Sequence, residues 1–226
     1  MSALRPRSRR LGRTRRLAPL GALAVLATAL AACGGAAAGT PLATRAPFSD
    51  PSEAGYIGLC DAHGHQVTSG SLDTDPFAWR AVSSVAAPAQ YAAAGRTATL
   101  YAYQANEALA PGEWSGEQLT ASSRYTNPAH PMAEATVGDG SLADFVSDFH
   151  PQWDGFVELR LYLGAPGQSP ASLRYPALAV QVTGDTWHAV GGGTVDCSAG
   201  SAQSIESVLL PSSSLTPPSS STSSTS

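Results

Sequence analysis

A mainly β fold is predicted, an antiparallel two-sheet β-sandwich of the Ig-like kind with one short α-helix. Three observations predict it. Period-two alternation of apolar and polar residues recurs in seven or eight short stretches between residues 55 and 200. Gly, Pro and Asp separate those stretches, and one segment alone carries helical spacing.

In chain order, Tyr56 to Cys60 reads as the first strand, and Asp61-Ala62-His63-Gly64-His65 as the turn into Gln66 to Ser71. Phe77 to Val85 follows, with Phe77, Trp79 and Ala81 on one face, then Arg96 to Gln104 and Glu117 to Tyr125. Ser141 to Phe149 places Leu142, Phe145, Val146 and Phe149 at i, i+3, i+4 and i+7. Ser141 fits as N-cap and Pro151 lies just beyond the end, so this is the helix, its apolar face turned to the core. The clearest strand is Phe156 to Leu163, with Val157, Leu159, Leu161 and Leu163 facing one way. Leu178, Val180 and Val182 repeat the pattern, Gly184-Asp185 makes a tight turn into Thr186 to Val190, and Thr194 to Cys197 closes the fold.

The ends of the chain differ in composition. Residues 1–16 hold seven arginines and no acid, and Leu17 to Ala32 is an uncharged apolar run of 16 residues, shorter than the roughly 20 a spanning helix needs. The run closes on Leu30-Ala31-Ala32-Cys33, which resembles the lipobox of bacterial lipoproteins. That resemblance covers the first 33 residues. It implies a signal peptide over 1–32, a diacylglyceryl group on Cys33, and a mature chain on the extracytoplasmic face of the cell membrane, held by its acyl chains. Residues 33–54 then read as a flexible tether, 55–200 as the sandwich domain and 201–226, rich in Ser, Thr and Pro, as a disordered tail. The globular part resembles actinobacterial lipoproteins, a resemblance that implies no activity.

Beyond residue 32 six arginines face 17 acids, a side-chain balance of −11. Such a surface has no electrostatic footprint for DNA or RNA. The chain has no lysine, which removes the phosphate-loop lysine, a Schiff-base lysine and the Ser-x-x-Lys pair. In an oxidising compartment Cys60 and Cys197 should pair, stapling the first strand to the last.

Candidate sites are few. Asp61-x-His63-x-His65 reads first as hairpin-turn chemistry and second as a metal-chelating pair. His130-Pro131-Met132 joins imidazole to the one methionine beyond Met1, a pairing suited to copper; a rigid Pro-bearing loop is the preferred reading. Together His63, His65, His130 and Met132 are the metal candidates. The acids at Asp73, Asp75 and Asp139 fall short of a calcium loop. Gly112-Glu113-Trp114-Ser115-Gly116 lacks the nucleophile-elbow pattern, while Glu113 and Glu117 flanking Trp114 are what a hydrolase would use. Trp79 and Trp187 lie on predicted strands and are assigned to the core; Trp114 and Trp153 sit in turns and are the candidates for a surface ligand site. The expected function is a non-enzymatic cell-surface module with no cofactor, binding an extracellular ligand or envelope protein. A copper carrier and a cell-envelope hydrolase stand as alternatives.

Overall fold

Most of the alternating stretches form strands, although Glu117 to Tyr125 divides into two short ones and Thr194 to Cys197 is irregular, and the strands pair into one sheet. The computed structural model describes residues 43–205. The signal peptide, Cys33 and all of the Ser/Thr/Pro tail from 206 onward lie outside the described residues. The elements are β1 (Glu53–Cys60), β2 (Gln66–Val67), β3 (Ser69–Ser71), β4 (Arg80–Ser83), β5 (Thr97–Gln104), β6 (Gly116–Gln118) and β7 (Ser123–Tyr125). After them come β8 (Met132–Glu134), α1 (Leu142–Asp148), β9 (Phe156–Gly164), β10 (Tyr175–Thr183), β11 (Thr186–Val190) and β12 (Ala202–Ser204).

Eight strands run in the order β12, β7, β5, β9, β10, β1, β4, β8, with β2, β3, β6 and β11 as short flanking pieces. Every pairing is antiparallel except β1 with β10. The last strand in that order curls back to the first two: Ser123 Oγ of β7 donates to the Glu134 carbonyl of β8 at 3.0 Å and accepts its N–H at 2.9 Å. The described residues therefore form a nearly closed eight-stranded barrel, and the expected two-sheet Ig-like sandwich is corrected. Alternation along a strand says that one face is buried. It does not say whether that face meets a second sheet or the far wall of the same one, which depends on tilt and closure.

The interior is the face that the alternation marks. Ile57 and Leu59 of β1, Leu100 of β5, Val157, Leu159 and Leu161 of β9, Val180 of β10 and Met132 of β8 all point into one core. α1 adds Leu142 and Phe145 to it, with Phe149 stacked on Phe145. Its start is capped reciprocally: Asp144 N–H donates to Ser141 Oγ at 3.2 Å and Ser141 N–H to Asp144 Oδ2 at 2.9 Å. Cys60 and Cys197 are joined, their Cα atoms 5.9 Å apart. Cys197 follows β11 in an irregular stretch, so the bridge ties the end of β1 to that stretch and not to a closing strand; the closing strand is β12, beyond residue 200.

The outer face of β9 and β10 is also covered. Residues 43–50, read from composition as tether, lie across it, with Phe48 at 4.8 Å from Trp114 and 5.9 Å from Phe156 between ring centroids. The Ala43 N–H donates to Gln181 Oε1 at 2.9 Å, and β1 already begins at Glu53.

Candidate functional site

Among the described residues two places combine polar groups with aromatic walls. The first is beneath residues 43–50, where the outward alternates of β9, Glu158 and Arg160, are each only 2% exposed. Arg160 Nε donates to Glu158 Oε2 at 2.6 Å, and its NH2 group donates to the Pro111 carbonyl at 2.8 Å and lies 3.5 Å from Asp50 Oδ2. Tyr175 Oη donates to that same Asp50 oxygen at 2.6 Å. The guanidinium lies 4.0 Å from the centroid of Tyr103 and 4.9 Å from that of Tyr175. All the faces of this network are occupied by protein, so its role is to hold residues 43–50 and the loop through Pro111 on the barrel.

One consequence is measurable. Burial pushes the Glu158 carboxyl up to about 7, against the opposing pull of Arg160 and with Asp50 adding to the rise. A carboxyl that is neutral when folded and ionised when unfolded favours the fold below its ordinary value near 4.5, and that contribution is lost as the pH rises through about 7. Denaturant unfolding at pH 5 and pH 8 is expected to differ through this group by on the order of 2–3 kcal/mol. In Glu158→Gln, where Arg160, Asp50 and Tyr175 still face the amide, that share of the difference should vanish. An unchanged pH profile in the variant would rule the effect out.

The second place is a hollow of about 350 Å³ lined by the β1–β2 turn, β3 and the run leading into β4, with Phe77, Trp79 and Trp187 among its walls. The turn is built as hairpin chemistry. Asp61 Oδ1 accepts the N–H groups of His63 at 2.9 Å and His65 at 2.8 Å, and Gly64 takes a φ of +80°. Those backbone donors, His65 first, hold the Asp61 carboxyl below the usual carboxylate range. Phe77 packs edge-on against Trp187 at 5.6 Å between centroids. Trp79 is held by its main chain on both sides: its N–H donates to the Cys60 carbonyl and its carbonyl accepts the Ala135 N–H, both at 2.9 Å. The residue nevertheless stands 36% exposed, more than any other tryptophan among the described residues.

The wall of this hollow contains an unpaired donor. Trp187 is buried, and its indole N–H finds no acceptor among the described residues. Leaving a buried donor unpaired costs about 1–3 kcal/mol. Trp187 lies across Gly70 of the paired strand β3, where a Cβ would stand 3.0 Å from Nε1; glycine there avoids that contact, while the N–H itself stays buried behind β3.

Trp114, expected at the surface, is 5% exposed because Phe48 covers it, and its N–H donates to the carbonyls of Asn106 and Leu109. Trp153 is half-buried and lines a different hollow with Asn106, Glu107 and Asp154. Trp79, assigned to the core beside Phe77 and Ala81, is the exposed tryptophan, because the strand starts only at Arg80 and Trp79 precedes it. Trp187 is in the core as expected. The His63 and His65 rings are 6.4 Å apart at the turn, while Met132 is fully buried in the barrel, away from the exposed imidazoles. His130 sits in the turn after Asn127, donating its N–H to the Asn127 carbonyl. Among the described residues no three His, Cys, Asp or Glu side chains gather to hold a metal ion. Glu113 binds the Ala110 N–H within its own turn, whereas burial, and after it the charges of Asp148 and Asp144 of α1, push the carboxyl of Glu117 on β6 up. The sequence signal that would have found the hollow is the pairing of Gly70 with Trp187 across a strand ladder, visible only once β3 is known to pair with β11. Comparison with family models, with curated proteins and with solved structures returns no match, so the functional reading rests on this geometry.

Proposed function

We propose that the chain is an exported, lipid-anchored, non-enzymatic binding module of the cell envelope, with the Trp79 hollow as its ligand face. The observation that carries the binding part is the unpaired N–H of Trp187 in the wall of an aromatic hollow. Native folds satisfy nearly all buried donors, and a partner arriving from outside is one way an exception is resolved. A volume near 350 Å³ is at the small end of ligand pockets, so the occupant is a fragment or a single residue of a polymer. Trp79, fixed by its main chain, partly exposed and lining the hollow, supplies the rigid aromatic contact such a site needs. Export and anchoring are supported by the 1–33 pattern and by a disulfide, a bond that persists in oxidising compartments.

Two measurements test the proposal. In a bacterial host fed an alkyne-bearing fatty acid, the full chain should take up the label and sediment with membranes, and Cys33→Ala should do neither. In the full chain carrying 5-fluorotryptophan, the Trp79 fluorine resonance should move when the glycan, peptide or lipid fraction of an envelope hydrolysate is added. If no fraction moves it, the hollow is not a ligand face and the binding reading falls.

A further inference from the structure

The chemistry of the hollow narrows its occupant. Its walls combine Phe77, Trp79 and Trp187 with Asp61, His63, Ser69 and Thr74. Aromatic walls beside a carboxylate also describe a cage for a quaternary ammonium, but such a cation has no acceptor to offer the Trp187 N–H. An anion would meet the Asp61 carboxylate and a chain whose acids outnumber its arginines by 11 beyond residue 32. A purely apolar ligand leaves the indole N–H without an acceptor. What remains is a neutral group that is at once donor, acceptor and flat-faced.

We infer that the hollow receives one neutral sugar residue of an envelope glycan, stacked on Trp79 through its C–H face, with one oxygen accepting the Trp187 N–H and hydroxyls donating to Asp61. This rests on the binding reading above and names its ligand class. Asp61 has the capacity: Oδ1 is taken by two backbone N–H groups, while Oδ2 has only the contact to His65 Nδ1 at 3.4 Å. The Trp187 N–H is shielded by β3, a three-residue strand paired on one side alone, so β3 is the wall that yields to admit the sugar oxygen. Gly70 matters for the same reason, since a methyl group there would press on the N–H edge.

The test uses the full chain in micelles of a sugar-free polyoxyethylene detergent. Saturation-transfer NMR is recorded with the methyl glycosides of glucose, galactose, mannose and arabinose, each at millimolar concentration, and with choline and triproline as the other arms. At least one glycoside should show transfer to its ring C–H protons and move the Trp79 fluorine resonance. Its affinity should fall at least tenfold in Trp79→Ala and in Gly70→Ala, and should be unaltered in Trp153→Ala. Both loss variants should keep the unfolding midpoint of the parent to within a few degrees. A variant that loses its fold is replaced by Asp61→Asn, which should weaken the same glycoside by about threefold to tenfold. Transfer to no glycoside, or transfer that survives Trp79→Ala, overturns the inference. Binding of choline or triproline at Trp79 without any glycoside overturns the sugar assignment while the binding module stands. A Trp79 resonance that none of these probes and no envelope fraction moves removes both.

Discussion

Arg160→Ala is expected to lower the unfolding free energy at pH 8 by about 3–5 kcal/mol, the cost of stranding buried charge when one partner is removed. Asp50 and Glu158 both lose their only cationic neighbour in the network, in a place where neither reaches water. The rings of Tyr103 and Tyr175 lose the group that lies between them, and the Pro111 carbonyl loses its donor. Residues 43–50 should loosen first, because Asp50 anchors them through Tyr175 and Arg160 while Phe48 holds only by packing. Urea unfolding gives the total effect, and hydrogen exchange at Ser52 and Glu53, whose N–H groups bond Asp50, gives the local one. A triple variant, Arg160→Met with Glu158→Gln and Asp50→Asn, should regain most of the loss, since a buried ion pair is often replaceable by neutral groups of similar volume. A loss below about 1 kcal/mol in Arg160→Ala would mean that water reaches the network.

The second large effect belongs to the disulfide. Cys60 and Cys197 are 137 residues apart, so their bond constrains most of the unfolded chain, and the loop-entropy relation gives about 5 kcal/mol for a closure of that length. Removing native bridges costs about 2–5 kcal/mol in practice, and that is the expected drop for Cys60→Ala with Cys197→Ala. The same change should reach the hollow, because the Cys60 carbonyl accepts the N–H of Trp79. Thermal unfolding with and without a reductant measures the first effect, and the line width of the Trp79 fluorine resonance the second. An unaltered midpoint would show that the barrel is held by its core alone.

Much of the secondary structure was legible. β9, β11 and α1 fall where alternation, turn residues and the Ser141 cap put them, because each is specified by neighbours in sequence. β8 and β12 were not legible: three residues are too few for a period, and both exist only because a strand from elsewhere supplies their hydrogen bonds. The run Gln66 to Ser71 is broken at Thr68 for the same kind of reason, since Gln66 and Val67 pair with β1 and the following residues with β11. At the hollow, Asp61 as a turn residue was readable from Gly64 alone, whereas the roles of Trp79 and Trp114 came out reversed. A tryptophan's exposure depends on what lies over it, and Phe48, 66 residues earlier in the chain than Trp114, is not a local neighbour.

By itself the sequence determined that the described chain is mostly β, that one short helix starts at Ser141, that Val157, Leu159 and Leu161 face a core, and that two cysteines are placed to bridge. Each of these follows from local period, local capping or residue type. Only the tertiary structure decided that the sheet closes on itself, that Glu158 and Arg160 are buried under residues 43–50, and that Gly70 meets Trp187 beside an open tryptophan. The physical reason is the same in all three. Period-two alternation fixes which way a side chain points, but what it points at is set by pairings between segments far apart in the chain, and those are chosen by closure and packing of the whole.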